Sequence, residues 1–137
     1  MIREATLFDV PLLAELWAEM AREAGKDPDV PAWAAQQAEG LRTGTVLCAV
    51  CEDGFCDGSL LYEPGDREMI LVGRHLFVRP AARGGALGGR LMVRLLALAR
   101  QSGASFVLTH GTPSAYAVQQ LLGKKMEMLR EIRGVRL

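Results

Sequence analysis

Four glycines within six residues, Gly84, Gly85, Gly88 and Gly89, restrict what this chain can fold into more than any other feature of it. Before them lies Glu68-Met-Ile-Leu-Val-Gly-Arg-His-Leu-Phe-Val78, whose composition suits a mostly buried strand that Pro80 terminates. After them, Leu91, Leu95, Leu98 and Ala99, with Met92 and Leu96 beside them, form a helical stripe, while Arg90, Arg94 and Arg100 lie on other faces. The pattern predicts a strand, a turn and a helix that begins at Leu87, inside the glycine segment. A helix start on glycine backbone offers unpaired N–H groups and the positive end of a dipole to an anion, with no side chain in the way. Arg83 adds a permanent cation of bidentate geometry, so the segment reads as a cradle for a pyrophosphate.

Two common phosphate sites do not fit. A P-loop needs Gly-Lys-Ser/Thr, which is absent, and a dinucleotide fold needs an acidic residue about 20 positions on, where Ala104 to Leu108 reads ASFVL. What remains is Val78-Arg79-Pro80-x-x-Arg83-Gly84-Gly85-Ala86-Leu87-Gly88-x-x-Leu91, which resembles the acetyl-CoA-binding motif of the GNAT acetyltransferase superfamily. One position departs from that motif, since Ala86 stands where its first glycine belongs. If φ there must be positive, alanine costs on the order of 1 kcal/mol and the loop shifts. The alternative is that the glycines only permit close packing.

Composition bounds the rest. A chain of 137 residues, half of them hydrophobic and 23% charged, suits one globular domain spanning residues 1–137. No apolar run approaches the roughly 18 residues of a membrane span, and no signal-peptide pattern opens the chain, so the expectation is a cytoplasmic protein without a membrane partner. Sixteen basic and sixteen acidic residues cancel, which leaves no global field for nucleic acid. Cys48-Ala-Val-Cys51 matches C-x-x-C, but the run is apolar and strand-like, with no second pair or nearby histidine. Buried reduced thiols are expected there, and no metal.

In chain order, Ile2–Thr6 reads as a strand, and Asp9 as the cap of a helix that carries Pro11 in its first turn and ends near Glu23 or Ala24. Leu12, Leu13, Leu16, Trp17 and Met20 form its apolar face. Glu15, Glu19 and Glu23 form an acidic row, a solvated face or a site for a cation. Pro31 opens a second helix through Trp33, Gln37 and Leu41. Strands at Thr45–Cys51 and Phe55–Tyr62 flank the hairpin signal Glu52-Asp53-Gly54, and a turn at Glu63–Arg67 leads into the central strand. Ser105–Thr109 is a further strand, parallel to the central one through a right-handed crossover. Thr112 caps a helix through Leu122, and Met126–Leu137 supplies one or two closing strands.

This order follows that of the GNAT superfamily, and the resemblance implies the rest. The fold class is α/β (α+β), a GNAT-like mixed, mostly antiparallel sheet with a central parallel strand pair and flanking helices. The cosubstrate is acetyl-CoA, its pantetheine arm lying between the two parallel strands against the backbone of Leu76, Phe77 and Val78. Its pyrophosphate sits on Arg83, Gly84, Gly85, Ala86, Leu87, Gly88 and Gly89, with Ser114 at a further coenzyme-contacting position. The acceptor is a small-molecule or peptide amine that attacks the thioester directly in a ternary complex. A late family motif supplies a tyrosine as general acid; aligned on Ala117, this chain has Ser114, Leu121, Lys125 and Met126 at the four other motif positions, so Leu121 replaces the tyrosine, and Tyr116 lies on another face. His75, His110 and Glu68 are the candidate catalytic groups. By alternation His75 points away from the face of Leu76 and Val78 unless Gly73 marks a bulge, and Arg74 shares the face of Leu76, where it contacts an acidic acceptor or lies in solvent. The resemblance also allows a homodimer. The rival readings are an acyl-CoA-binding module without catalysis, serving regulation or protein interaction, and a structural domain without coenzyme.

Overall fold

A computed structural model describes residues 1–65, 67–109, 127–129 and 132–136. The elements are β1 (Arg3–Glu4), α1 (Val10–Glu23), α2 (Val30–Thr43), β2 (Val46–Cys51), β3 (Gly54–Glu63), β4 (Glu68–Val78), α3 (Leu87–Gln101), β5 (Ala104–Thr109), β6 (Glu127–Leu129) and β7 (Ile132–Arg136). Among the described residues the strands form one sheet in the order β1-β2-β3-β4-β5-β7-β6, in which only β4 and β5 run parallel. The mixed, mostly antiparallel sheet with its central parallel pair is therefore present. The expected helix Thr112–Leu122 lies outside the described residues.

One helix start differs from the sequence reading, and the other agrees with it. Asp9 does not cap α1 through that helix's own amides. Its carboxylate accepts the Thr6 amide at 2.9 Å and the Arg3 guanidinium, fixing the corner between β1 and α1 and shortening the first strand to two residues. Burial alone would raise the Asp9 carboxyl, but the Thr6 amide and Arg3 outweigh it and hold it below the usual carboxylate range. In α2, Asp29 is the cap, accepting the Ala32 amide at 3.1 Å, with Pro31 in the first turn.

The core has two halves, one on each face of the sheet. Leu47, Ala49, Cys51, Cys56 and Leu71 pack against Leu91, Leu95 and Ala99 of α3, whereas Cys48, Val50, Phe55 and Phe77 pack against Leu13 and Leu16 of α1 and Trp33 of α2. All six residues of β2 are buried, which is why it reads as a continuous apolar run. The C-x-x-C spacing falls on opposite faces of this strand, so Cys48 and Cys51 cannot meet. All three cysteines are free and buried. Burial, and then the nearby Asp57 charge, push the Cys56 thiol up to about 12 and raise that of Cys48 as well.

Two irregularities in β4 shape the site. Asp57 pairs with His75 but Gly58 pairs with Gly73, so Arg74 is an extra residue in β4, a β-bulge. Leu71 and Phe77, six positions apart, would share a face under strict alternation; the extra residue sends Leu71 to α3 and Phe77 to α1 and α2. The chain approaches itself closely here. A Cβ on Gly58 would lie 2.7 Å from the Leu71 side chain and 2.9 Å from the Val72 carbonyl, so only glycine fits. The second irregularity is that pairing between β4 and β5 ends at Val72↔Leu108, although β4 continues to Val78. Pairing of the two parallel strands thus stops at a fork point, and among the described residues, which in β5 end at Thr109, one edge of residues 73–78 has no partner strand.

Candidate functional site

The mouth of the fork leads to the glycine turn. Arg83 closes a short turn through its amide, which donates to the Pro80 carbonyl at 3.2 Å. Gly84 follows with φ +91°, a conformation that side chains rarely adopt. Ala86 sits at φ −92° and ψ 4°, so the strain expected for alanine does not arise; the left-handed residue is Gly84. Among the described residues no amide from Gly84 through Gly89 donates to the backbone, and the first committed amide of α3 is that of Arg90, to the Ala86 carbonyl at 2.9 Å. The N-terminus of α3 carries no side-chain cap. A Cβ on Gly85 or Gly89 would meet nothing within 4 Å, so internal packing does not require glycine at either position. Open amides, a dipole end and room for close approach fit a diphosphate.

The arginines of the turn are held by the acidic row of α1. Arg79 donates to Glu19 at 2.9 Å, to Glu15 at 3.2 Å and to the Glu52 carbonyl at 3.0 Å. Arg83 donates through Nε to the Val78 carbonyl at 2.8 Å and through Nη2 to Glu23 at 2.8 Å, with its guanidinium 5.6 Å from the centre of the Phe77 ring. The row is thus not a bare solvated face. The hydrogen bond with Glu23 raises Arg83, and the same bond holds Glu23 below the usual range. Arg83 keeps Nη1 without a hydrogen-bond partner among the described residues. Val78 packs its side chain toward α3 and has one carbonyl lone pair committed to Arg83; Phe77 is buried, and Leu76 is exposed. Of these three, the Leu76 backbone is the one least occupied by the protein itself.

Under α2, on the face that α1 and α2 cover, the bulge assembles a polar cluster in the apolar half-core. Asp57 is fully buried, and three N–H groups surround it: Gln37 Nε2 at 2.9 Å on Oδ2, with the His75 amide at 3.0 Å and His75 Nδ1 at 2.8 Å on Oδ1. A carboxylate oxygen that already accepts an amide faces Nδ1, which assigns the ring proton to Nδ1 and leaves the lone pair on Nε2. Among the described residues Nε2 has no hydrogen-bond partner, and the buried side-chain polar atom left without one there is Trp33 Nε1. The imidazole ring lies 6.2 Å from Trp33 and 6.0 Å from Phe55, centre to centre. Arg74 extends to Gln37 Oε1 at 3.4 Å, toward α2 and not toward the face of Leu76, because the bulge turns it.

The other candidates fall elsewhere. Glu68 stands at the opposite end of β4, accepting the Ser105 hydroxyl at 3.0 Å, and its seven-residue separation from His75 corresponds to roughly 20 Å of strand. Those two groups cannot serve one reacting centre. His110, Ser114 and Leu121 lie outside the described residues. Asp57 and Gln37 were not singled out by the sequence reading; the available signal was a lone aspartate amid an apolar strand run, at Phe55-Cys-Asp57-Gly-Ser-Leu-Leu61.

No family model matches the sequence, and no curated protein matches it. Solved structures do. The chain resembles a predicted acetyltransferase from Clostridium acetobutylicum solved with acetyl-CoA, at 13% identity over 95% of this chain and 92% of that chain, TM-score 0.75. It also resembles a GCN5-related N-acetyltransferase from Ralstonia eutropha JMP134, at 21% identity over 95% and 96%, TM-score 0.67. A third is a ribosomal-protein-alanine N-acetyltransferase from Brucella melitensis biovar Abortus 2308, at 18% identity over 95% and 99%, TM-score 0.66. The fold is that of the GCN5-related N-acetyltransferases.

Proposed function

We propose that this chain is an N-acetyltransferase that moves acetyl from acetyl-CoA to an amine by direct attack in a ternary complex, with His75 as the base. The observation that carries the reading is the row of uncommitted amides from Gly84 to Gly89 at the mouth of the fork between β4 and β5. The amides and Arg83 Nη1 hold the diphosphate, and the open edge of β4 around Leu76 takes the pantetheine arm as an added strand. The coenzyme supplies the thioester.

His75 follows the bulge and precedes Leu76, so its ring stands beside the backbone edge where the thioester would lie, on the α2 side. Nε2 accepts a proton from the attacking amine as the N–C bond forms and the C–S bond breaks. The proton lost by nitrogen ends on the departing sulfur, and the products are an amide and a thiol. Asp57 keeps the Nδ1–H tautomer that makes Nε2 the base, and Gln37 keeps Asp57 in place. A positioned base of this kind contributes about 10²–10⁴-fold in rate.

Two measurements test this. Calorimetric titration with acetyl-CoA is expected to show saturable binding, and absence of binding at millimolar coenzyme would leave only a structural domain. Coenzyme-dependent thiol release with an amine panel is expected to exceed hydrolysis and to fall about 10²-fold or more in His75→Ala. Binding without turnover on any amine would make the chain an acyl-CoA-binding module.

A further inference from the structure

Three polar groups with unused hydrogen-bonding capacity among the described residues lie on neighbouring side chains between α2 and β4. Trp33 Nε1 is a buried donor with no partner, on a residue only 7% exposed, and such a donor costs free energy unless an acceptor reaches it. Trp33 and Gln37 are one helical turn apart, so both face the sheet at one place. There Gln37 meets the Arg74 guanidinium, and Trp33 stands edge-on to His75. Arg74 is exposed, and its single hydrogen bond among the described residues is the long one to Gln37. His75 Nε2 offers a lone pair. One buried neutral donor, one cation and one imidazole thus belong to side chains that meet between α2 and β4.

We propose that this cluster is the acceptor site and that the acceptor is a small amino-carboxylate, an amine bearing a carboxylate close to it, as in a free amino acid. This rests on the acetyltransferase reading and specifies its substrate class. Arg74 and Trp33 Nε1 receive the carboxylate oxygens, and His75 Nε2 receives the proton of the adjacent amine. The step is the one given above: N–C forms, C–S breaks, and the amine proton ends on sulfur. A peptide N-terminus offers only a neutral carbonyl there and a lysine side chain offers nothing, so neither supplies a counter-charge for Arg74. A polyamine adds a positive charge beside Arg74. Glu15 and Glu19, the acidic groups that could attract such a cation, are already paired with Arg79.

The test uses matched acceptors that differ only in the carboxylate, phenylalanine against phenethylamine and leucine against isoamylamine, with thiol release as the readout and acetyl-CoA affinity measured separately. The carboxylate member of each pair is expected to have a kcat/KM at least tenfold higher. Arg74→Gln is expected to bring that ratio close to one by raising KM for the amino acid far more than for the plain amine, with coenzyme affinity measured alongside as the control. Trp33→Phe, which keeps an aromatic ring and removes the donor, is expected to lower kcat/KM for the amino acid several-fold more than for the plain amine. Equal use of both members, preference for the plain amine, an unchanged ratio in Arg74→Gln, or no turnover of any amino-carboxylate overturns the proposal. Turnover of plain amines in the same assay would retain the acetyltransferase reading, and absence of coenzyme binding would remove that reading as well.

Discussion

A carboxylate without exposed surface has lost its hydration, and Asp57 replaces it with donors from Gln37, the His75 amide and His75 Nδ1. Asp57→Asn keeps the shape but sets an NH2 against one of those donors, so stability is expected to fall by about 1–3 kcal/mol. If Asp57 acts through His75, the double variant Asp57→Asn/His75→Ala will turn over no more slowly than His75→Ala alone; additive losses in kcat would show that Asp57 serves the fold and not the base. Asp9 carries a different consequence. Its folded carboxyl is held below its unfolded value, so its stabilisation is fully present above the unfolded carboxylate range and is lost as pH falls through the folded value. Denaturant melts from pH 7 to 2 should therefore show a steeper acid loss in the natural chain than in Asp9→Asn, which begins about 1–2 kcal/mol less stable at neutral pH. Parallel curves would mean that the corner of Arg3, Thr6 and Asp9 does not form.

At the scale of elements, the strand, turn and helix from Glu68 to Gln101 were legible because each signal is local: apolar composition, Pro80, glycine and helical spacing. The bulge was not. Counted strictly from the Glu63↔Glu68 pair, Asp57 falls opposite Arg74, and only the one-residue slip brings His75 across from it. A register shift depends on packing against Gly58 and Leu71, which no local pattern announces. The acidic row of α1 was visible as a spacing, but its partners Arg79 and Arg83 lie some sixty positions later. Two predictions belong here. Gly89→Ala adds a methyl group into open space in the first turn of α3, so it should stabilise the helix by up to about 1 kcal/mol while weakening acetyl-CoA several-fold; a stabilised variant with unchanged affinity would separate that glycine from the coenzyme. On the proposed reading Glu23 would compete with phosphate for Arg83, and its exposed ion pair adds little to the fold. Glu23→Gln should leave the melting temperature nearly unchanged and tighten coenzyme binding several-fold at low salt, whereas weaker binding would mean that Glu23 holds Arg83 in its working pose.

Across the whole molecule, the sheet is divided by function along a single strand. Up to Val72, β4 is closed on both edges, by β3 and by β5, with α3 packed over Leu71; beyond it, β3 continues to pair while the other edge has no partner among the described residues, and the bulge at Arg74 falls at that division. Extra twist at a bulge and loss of a neighbouring strand are mutually consistent, because a strand that turns on its axis carries its open edge away from a partner held in place by β7. On the reading proposed above, the same break that directs His75 toward α2 leaves room for the arm of a coenzyme whose diphosphate would rest on α3. Hydrogen exchange reads this division directly. In the unliganded chain, amides of Met69–Val72 should exchange slowly, whereas those of Gly73–Val78 directed away from β3 should exchange rapidly, since an unpaired edge opens to water without any unfolding. At 100 times its dissociation constant, acetyl-CoA stabilises the folded state by about 2.7 kcal/mol overall, which slows globally exchanging amides alike. A strand-like arm adds local protection at Leu76 and its neighbours that exceeds this uniform shift, because their N–H groups gain acceptors. Uniform slowing with no excess at residues 73–78 would place the coenzyme outside the fork, and the direct-transfer geometry built around His75 would fail with it.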